Sequence, residues 1–320
     1  DGAVRAEAEL EDAAAMLDVM RADVEELASA WTRSEDGTTL VEAVWRRLEA
    51  KTAPLSQELC EQLRLILEAT VASKMQGDYR TGKRISMRKV IPYIASGFRR
   101  DKIWLRRTKP SKRQYQVTLC VDDSESMRHT GAGGLACEAL ATLCGALTRL
   151  EVGQLSVLSF AERTSMLHPF DVPFSAEAGA RMLSRFTFAQ GHTNMEGLLR
   201  DVVQINMLAR ESQPAGAAEL MQLVIIVSDG RRSPSWGDPA EWVRRAAAER
   251  ILFCFVVIDS VAERESIFEL KSVAYPDGKL TISRYIDSFP FPHYIVIKEL
   301  GELPTVLSSA LRQWFESATS

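Results

Sequence analysis

The feature that most constrains the fold is an alternation of short apolar runs with stretches of helical spacing, which begins at residue 115 of this 320-residue chain. Several runs, such as Ile251 to Ile258, are continuously apolar, which is typical of strands buried on both faces of a sheet. Strands that alternate with helices predict an α/β fold with a doubly wound, mostly parallel sheet flanked by helices. The predicted strands are Tyr115 to Val121, Leu155 to Phe160, Gln222 to Val227, Ile251 to Ile258 and His293 to Ile297, and the predicted helices lie near 134–150, 175–185, 194–210, 238–249 and 302–317.

Residues 1–78 carry apolar side chains at helical spacing and few strand signals, so they predict an α-helical stem. Its non-apolar faces are mainly acidic, which fits a bundle or coiled-coil helix better than a membrane-surface helix. We expect Trp31 and Trp45 to lie in the core of this stem. The predicted elements are a helix over 4–32, a second that begins at the capping box of Thr39 and Glu42 and ends at Pro54, and a third that carries Leu59, Leu63, Ile66 and Thr70.

Basic residues concentrate in 79–114, although the net charge of the whole chain is −4. This segment predicts a basic connector packed on the next domain, or a patch that meets an acidic surface such as RNA or the stem of this chain. Its aromatic residues fit RNA contact through 80–113, and its aliphatic residues fit equally well packing under the next domain. The aromatic residues are Tyr79, Tyr93, Phe98 and Trp104, and the aliphatic ones are Ile91, Ile94, Ile103 and Leu105.

The stretch from Gly77 to Arg84 nearly spells a phosphate-binding P-loop. Arg84 stands where a Ser or Thr should reach a magnesium ion, and the preceding pattern is helical, whereas a P-loop follows a buried strand. We therefore do not assign a nucleotide site to Lys83.

The composition argues against a membrane or secreted protein. No stretch approaches the roughly 18 uninterrupted apolar residues of a membrane span, and the first residues lack the apolar core of a signal peptide. The five cysteines form an odd set without CxxC spacing, so we expect buried free thiols, and the four histidines are too scattered to suggest a zinc site. We expect an intracellular protein without membrane contact.

Oxygen-bearing side chains recur in three of the predicted loops. Asp122, Ser124 and Ser126 directly follow the first strand, Thr193 precedes a helix, and Asp229 follows the third strand. Because ligands bind at the carboxyl ends of the strands in a doubly wound sheet, we expect these side chains to meet at one edge. Such oxygens suit Mg²⁺, with Mn²⁺ or Ca²⁺ as alternatives.

In this order the residues resemble the metal-ion-dependent adhesion site (MIDAS) of von Willebrand factor A domains, and the resemblance extends over roughly residues 115–320. Three further stretches resemble local sequences of the midasin family, giant dynein-like ATPases of large ribosomal subunit assembly with a carboxyl-terminal MIDAS domain. The resemblance implies that the stem is the end of the linker to the ATPase ring. The three stretches are Lys102 to Arg113, Phe289 to Tyr294 and Leu307 to Phe315.

The resemblance also implies roles for individual residues. Ser124, Ser126 and Thr193 would bind the metal directly when a partner is bound, and Asp122 and Asp229 would hold coordinated waters. One position would remain for an acidic side chain of the partner. The basic and polar residues that flank the motifs are candidate partner contacts, namely Arg128, His192, Arg231 and Arg232.

The function implied is that of a binding module without enzymatic activity of its own. Its partner would be the ubiquitin-like domain of a WD-repeat ribosome assembly factor on the pre-60S particle, in the nucleus. The ATPase elsewhere in the parent chain would pull on this link and remove the factor.

Two alternatives come from other classes of protein. A strand-end Asp with magnesium also serves phosphoryl-transfer hydrolases, but these need a second carboxylate two residues later, where Ser124 stands, and a Lys that no loop supplies nearby. An RNA-binding module acting through 80–113 is the other alternative, and it is compatible with protein binding.

Overall fold

The computed structural model describes most of the chain beyond residue 36, so the helix predicted over 4–32 lies outside the described residues. Within the described part, no helix is both long and apolar enough to cross a membrane. The described ranges are 37–69, 75–107, 114–150, 153–213, 220–231, 236–259, 266–274 and 281–319.

Strands and helices alternate from residue 114 onward, and each predicted element of this part is present within a few residues of its predicted ends. In chain order the elements are α1 Gly37–Ala69, β1 Met75–Tyr79, β2 Arg84–Ile85, α2 Met87–Ala95, β3 Trp104–Arg107, β4 Gln114–Asp122, α3 Glu125–His129, α4 Ala132–Leu150, β5 Gly153–Phe160, β6 Thr164–His168, α5 Ala176–Leu183, α6 Met195–Glu211, β7 Leu220–Ser228, α7 Pro239–Ala248, β8 Ile251–Ile258, β9 Lys271–Ala274, β10 Thr281–Arg284, β11 Tyr294–Ile297 and α8 Leu303–Thr319.

The central sheet has six strands in the order β11-β8-β7-β4-β5-β6. All neighbours pair in parallel except β6, which runs antiparallel to β5 at the edge. This confirms the predicted α/β, doubly wound, von Willebrand factor A-like architecture. The edge strand β6 was not predicted, because it is mostly exposed and its sequence has no apolar run.

Successive side chains of each strand enter two different cores, one on each face of the sheet. Leu119 and Val121 of β4 belong to the core under α1, α4, α5 and α8, whereas Cys120 belongs to the core under α6 and α7. Every residue of β8 is buried, which explains its uninterrupted apolar sequence. The cysteines of the chain are free thiols, four of them buried and Cys137 only half-buried.

The prediction that Pro54 ends a helix is wrong, since α1 runs through it from Gly37 to Ala69. Apolar side chains on both sides of Pro54, including Trp45 and Leu59, are buried in the same core. In addition, Lys51 Nζ donates a hydrogen bond to Glu138 Oε1 of α4 at 2.5 Å, and both side chains are buried. Tertiary packing therefore keeps the helix continuous past the hydrogen bond that proline removes.

Gly179 of α5 marks the closest approach between α5 and α1. A Cβ atom at this position would overlap the indole ring of Trp45, whose side chain is fully buried. We therefore expect Gly179→Ala to lower the free energy of unfolding by about 1–3 kcal/mol, as overpacked cores do. Urea denaturation would measure this loss.

Gly134→Ala is the matched control, because a Cβ there meets no atom within 4 Å. It lies in helix α4, where alanine is intrinsically favoured over glycine, so we expect unchanged or higher stability. Equal effects of the two substitutions would contradict the proposed contact with Trp45.

Residues 75–107 form a separate small sheet, in the order β1-β3-β2, with α2 beside it. The near P-loop runs from within β1 to the start of β2, so it lacks the strand-to-helix setting that binds phosphate. Of the aliphatic residues expected to pack under the next domain, Ile103 is buried, but Ile91 and Ile94 are exposed. That expectation is therefore wrong for both residues of α2, and the predicted boundaries at 78 and 114 stay predictions.

Candidate metal centre

The candidate site lies where the chain reverses its direction of travel across the sheet. From β4 the chain first builds β5 and β6 on one side, then crosses to build β7, β8 and β11 on the other. Asp122 ends β4 and Asp229 directly follows β7, so the two carboxyl groups come from the adjacent strands at the switch point, where ligands bind in such sheets.

Asp122 is buried and is held by hydrogen bonds on both carboxyl oxygens. Its Oδ1 accepts from the Ser124 amide at 2.9 Å, and its Oδ2 accepts from Ser228 Oγ at 2.6 Å. Burial raises the pKa of Asp122 to about 7, and the nearby Asp229 carboxyl adds to this rise, whereas the hydrogen bonds from Ser228 and Ser124 oppose it. The ionised carboxylate of Asp122 is therefore unfavourable in the metal-free protein, because the hydrogen bonds do not fully offset its burial.

Asp229 is also buried and is less completely satisfied. Its Oδ1 accepts from the Arg231 amide at 3.0 Å, but Oδ2 has no donor of good geometry among the described residues. Burial raises the pKa of this carboxyl, and the Arg231 amide and the Ser126 hydroxyl oppose the rise. A buried carboxylate oxygen without a donor calls for a cation.

Two of the three predicted hydroxyl groups, those of Ser124 and Ser126, lie beside these carboxyls, and the third belongs to Thr193 in the loop before α6. Ser124 precedes α3 and Ser126 lies in its first turn, and their Oγ atoms are 2.9 Å apart. Thr193 is buried just before Asn194, the residue whose side chain caps α6 through the amide of Gly197 at 2.9 Å. The Asn194 amide donates to the carbonyl of Ala161 at 2.8 Å, which anchors the Thr193 loop to the end of β5.

Asp123 ties two of the site loops together, a role that the sequence did not reveal. Its Oδ1 accepts from the amides of Thr187 and Phe188 at 2.7 and 2.6 Å. Its Oδ2 accepts from Thr187 Oγ1 at 3.1 Å and from Gln190 Nε2 at 2.9 Å. Phe188 has a positive φ of 47°, which is unfavourable for a non-glycine residue, so these bonds hold a strained turn close to Thr193.

Two other residues that support the site were also missed. Ser228 donates to Asp122 and accepts from the Gly230 amide at 3.2 Å. Tyr285 donates its hydroxyl to the Gly230 carbonyl at 2.8 Å. Gly230 has a φ of +70°, so this turn requires glycine, and its bracing comes from a residue far away in the sequence.

The four predicted partner contacts differ in their placement. Arg128 and His192 are exposed near the site, and Arg128 pairs with Glu125 at 3.1 Å. Arg231 is partly buried and its amide holds Asp229, so its main-chain role is structural. Arg232 lies outside the described residues.

These residues fit a hard divalent cation. The donor set consists of two carboxyls and three hydroxyls, and one buried carboxylate oxygen has no donor among the described residues. In the described part, no three His, Cys, Asp or Glu side chains form a group that could hold a metal, so the hydroxyl groups would have to complete this site. Ser124, Ser126, Thr193, Asp122 and Asp229 are the residues that would hold the cation, and their individual roles stay predictions.

The raised pKa of Asp122 predicts the pH dependence of the metal-free protein. The unfolded chain loses this proton near pH 3.8 and the folded chain near pH 7, so the unfolded state binds fewer protons between these values. Stability should therefore fall as the pH rises through this window, by up to about 4 kcal/mol, at 1.36 kcal/mol per pKa unit. Urea denaturation in EDTA at several pH values would measure the slope.

Asp122→Asn is the control for this prediction, because it cannot ionise and should flatten the slope. Saturating Mg²⁺ should reverse the loss in the unsubstituted chain, since the cation favours the ionised form. Equal slopes for the two chains in EDTA would contradict the assignment to Asp122.

Comparison with known proteins finds similarity to midasins. No protein-family model matches the chain. Over 305 residues, 95% of this chain, it is 44% identical to midasin of Dictyostelium discoideum. It is 38% identical to midasin of Giardia intestinalis over 274 residues, 84% of this chain.

The chain is homologous to a segment of midasin. It spans 5% and 6% of the lengths of these two midasins, so most of each relative lies outside the region compared. The resemblance to the midasin family, predicted from the metal motif and three local stretches, is confirmed.

The solved structures that resemble this chain have a lower sequence identity to it than the two midasins have. Proximal thread matrix protein 1 from mussel byssus, also solved with zinc in its MIDAS motif, is 14% identical with a TM-score of 0.43 and covers 63% of this chain and 48% of its own. BatB, a conserved hypothetical protein from Bacteroides thetaiotaomicron, is 13% identical with a TM-score of 0.39, over 63% of this chain and 99% of its own. The similarity to midasin rests on the sequence relatives.

Proposed function

We propose that the chain is a metal-dependent protein-binding module, and not an enzyme, through which midasin grips an acidic residue of a partner protein. The observation that carries the proposal is the pair of buried carboxyls on adjacent strands, Asp122 and Asp229, with one oxygen of Asp229 left without a donor among the described residues. When bound, a divalent cation, which we propose to be Mg²⁺, supplies positive charge to which a carboxylate of the partner can bind.

The residues of the chain supply the remainder of the recognition. Asp122 and Asp229 neutralise a divalent ion formally, while Ser124, Ser126 and Thr193 offer uncharged oxygens. The site is therefore not saturated with negative charge, and an acidic side chain from outside is not repelled. Arg128 and His192 are exposed beside the site and favour a partner surface with further acidic residues.

The partner that we propose is the ubiquitin-like domain of a WD-repeat ribosome assembly factor on the pre-60S particle. The ATPase part of midasin, outside this segment, would use the link to remove the factor, and the location would be nuclear. These proposals rest on the homology with midasin and on the acidic ligand that the site favours.

The test is a titration of the chain with such a ubiquitin-like domain in Mg²⁺ and in EDTA. We expect EDTA to weaken binding at least ~100-fold, equivalent to about 2.7 kcal/mol, and Mg²⁺ to restore it. Mn²⁺ and Ca²⁺ added in place of Mg²⁺ would identify the preferred cation. Binding of equal strength in EDTA would overturn the proposal.

The control is Arg128→Ala, which removes a surface charge and leaves the five candidate metal ligands in place. We expect it to weaken binding less than about tenfold, as substitutions at the rim of an interface do. The hydrolase alternative predicts turnover of a generic phosphate ester, and the RNA alternative predicts binding with a steep salt dependence.

A further inference from the structure

Helix α2 carries an apolar face that the described structure leaves in solvent. Met87, Ile91 and Ile94 recur at the spacing of one helical face, and none of the residues of α2 is buried. Phe98 follows the end of the helix with a positive φ of 66° and is also exposed. Met87 is 76% exposed and Ile91 is 75% exposed. These four residues, the α2 face, form a contiguous apolar surface of a kind that soluble proteins normally cover.

The surroundings of the α2 face are strongly basic. Residues 84–102 contain six basic side chains and one acidic side chain, Asp101. Lys89, Arg99, Arg100 and Lys102 line a groove of about 460 Å³ between α2 and the chain that follows it. An occupant of this surface should therefore be apolar on one side and acidic on the other.

The apolar residues favour a protein helix over RNA. Three of the four are aliphatic and cannot stack on bases, and Phe98 packs edge-on against Tyr93, with ring centroids 5.1 Å apart. Met87, Ile91 and Ile94 are spaced at i, i+4 and i+7, which is the spacing through which amphipathic helices pack against a partner.

We propose that residues 1–36 of the same chain cover the α2 face. This segment has eleven acidic and three basic side chains, and its apolar residues from Leu10 to Trp31 recur at helical spacing. Its acidic charge is thus complementary to the basic surroundings of the α2 face, and its apolar residues are complementary to the apolar side chains of that face. Because it is joined to α1, its effective concentration is in the millimolar range, which favours it over a free helix of similar composition.

The segment is also long enough to span the whole of α1. As a helix, 36 residues span about 54 Å, whereas the 33 residues of α1 span about 50 Å. A segment that folds back from Gly37 along α1 therefore reaches the far end of α1, and β1 begins six residues beyond it.

The test is zero-length carbodiimide cross-linking of the whole chain, followed by mass spectrometry of the monomer fraction. We expect Lys89 and Lys102 to be joined to carboxyl groups of residues 1–36 at every protein concentration. Ile91→Asp combined with Ile94→Asp, and separately Leu17→Lys, should lower the yield at least ~tenfold, since each removes apolar burial and adds a charge of the same sign as the surface that it faces.

The matched control is Leu208→Asp, a substitution of an exposed apolar residue on α6, which should leave the yield unchanged. Circular dichroism of each variant verifies that it is folded. Absence of these cross-links in the monomer would overturn the proposal, as would their confinement to a dimer, which would make a second copy the occupant. Binding of polyuridylate or of anionic vesicles by the unsubstituted chain, lost in the double Asp variant, would also overturn it.

Discussion

Replacing Asp229 by Asn should lower the affinity for Mg²⁺ at least ~100-fold and, in the same protein, raise the stability of the metal-free state by about 1–3 kcal/mol. Both effects have one cause. The carboxyl of Asp229 is buried and one of its oxygens has no donor among the described residues, so its charge is unfavourable without a cation and necessary with one. The amide of Asn keeps the acceptor for the Arg231 N–H and removes the charge.

Isothermal titration with Mg²⁺ gives the affinity, and urea denaturation in EDTA gives the stability. Asp238→Asn is the matched control, because Asp238 caps α7 from an exposed position and Asn caps helices equally well. It should change neither quantity. A variant at Asp229 that loses stability in EDTA and keeps its Mg²⁺ affinity would show that this carboxyl has a structural role only.

Replacing Asp123 by Ala should lower the affinity of the folded protein for Mg²⁺ by at least ~30-fold and reduce its stability by about 3–5 kcal/mol. The carboxyl of Asp123 accepts four hydrogen bonds from Thr187, Phe188 and Gln190. Without it, the donors lose their acceptor and the strained turn at Phe188 is released, so the loop that leads to Thr193 is no longer anchored to Asp123.

Asp123→Asn separates positioning from charge. Its amide oxygen can still accept from the two main-chain N–H groups, and its NH₂ can donate to Thr187 Oγ1 and, after rotation of the Gln190 amide, to Gln190. We expect this variant to recover Mg²⁺ affinity to within about fivefold. Thermal denaturation in EDTA shows where each variant is folded, and the Mg²⁺ titration is made there. If the Ala variant is less stable but binds Mg²⁺ normally when folded, Asp123 does not position the site.

Much of the fold could be predicted because buried strands and amphipathic helices have distinct periods. Residues 251–258 are apolar at every position because both faces of β8 are covered. The helix predicted over 238–249 is α7, and the Asp238 side chain caps it by accepting from the Ala240 amide. Local patterns of this kind depend on a few neighbouring residues, so the sequence displays them directly.

The features that were missed depend on contacts distant in sequence. Pro54 is a strong local signal for a helix end, but Trp45 before it and Leu59 after it enter one core, and this packing outweighs the lost hydrogen bond. The edge strand β6 has one partner and little buried surface, so its sequence shows no strand pattern.

For the candidate site, the residue types and their order along the chain were enough to predict the chemistry. They place oxygen side chains after two strands and before one helix, and the doubly wound topology brings Asp122 and Asp229 to one edge of the sheet. How these groups are held and charged follows from the tertiary structure. The bonds of Asp123 across more than sixty residues, the orphaned oxygen of Asp229 and the raised pKa of Asp122 all arise from burial between loops that are remote along the chain. Burial and long-range hydrogen bonds are properties of the packed structure, and no local pattern of residues encodes them.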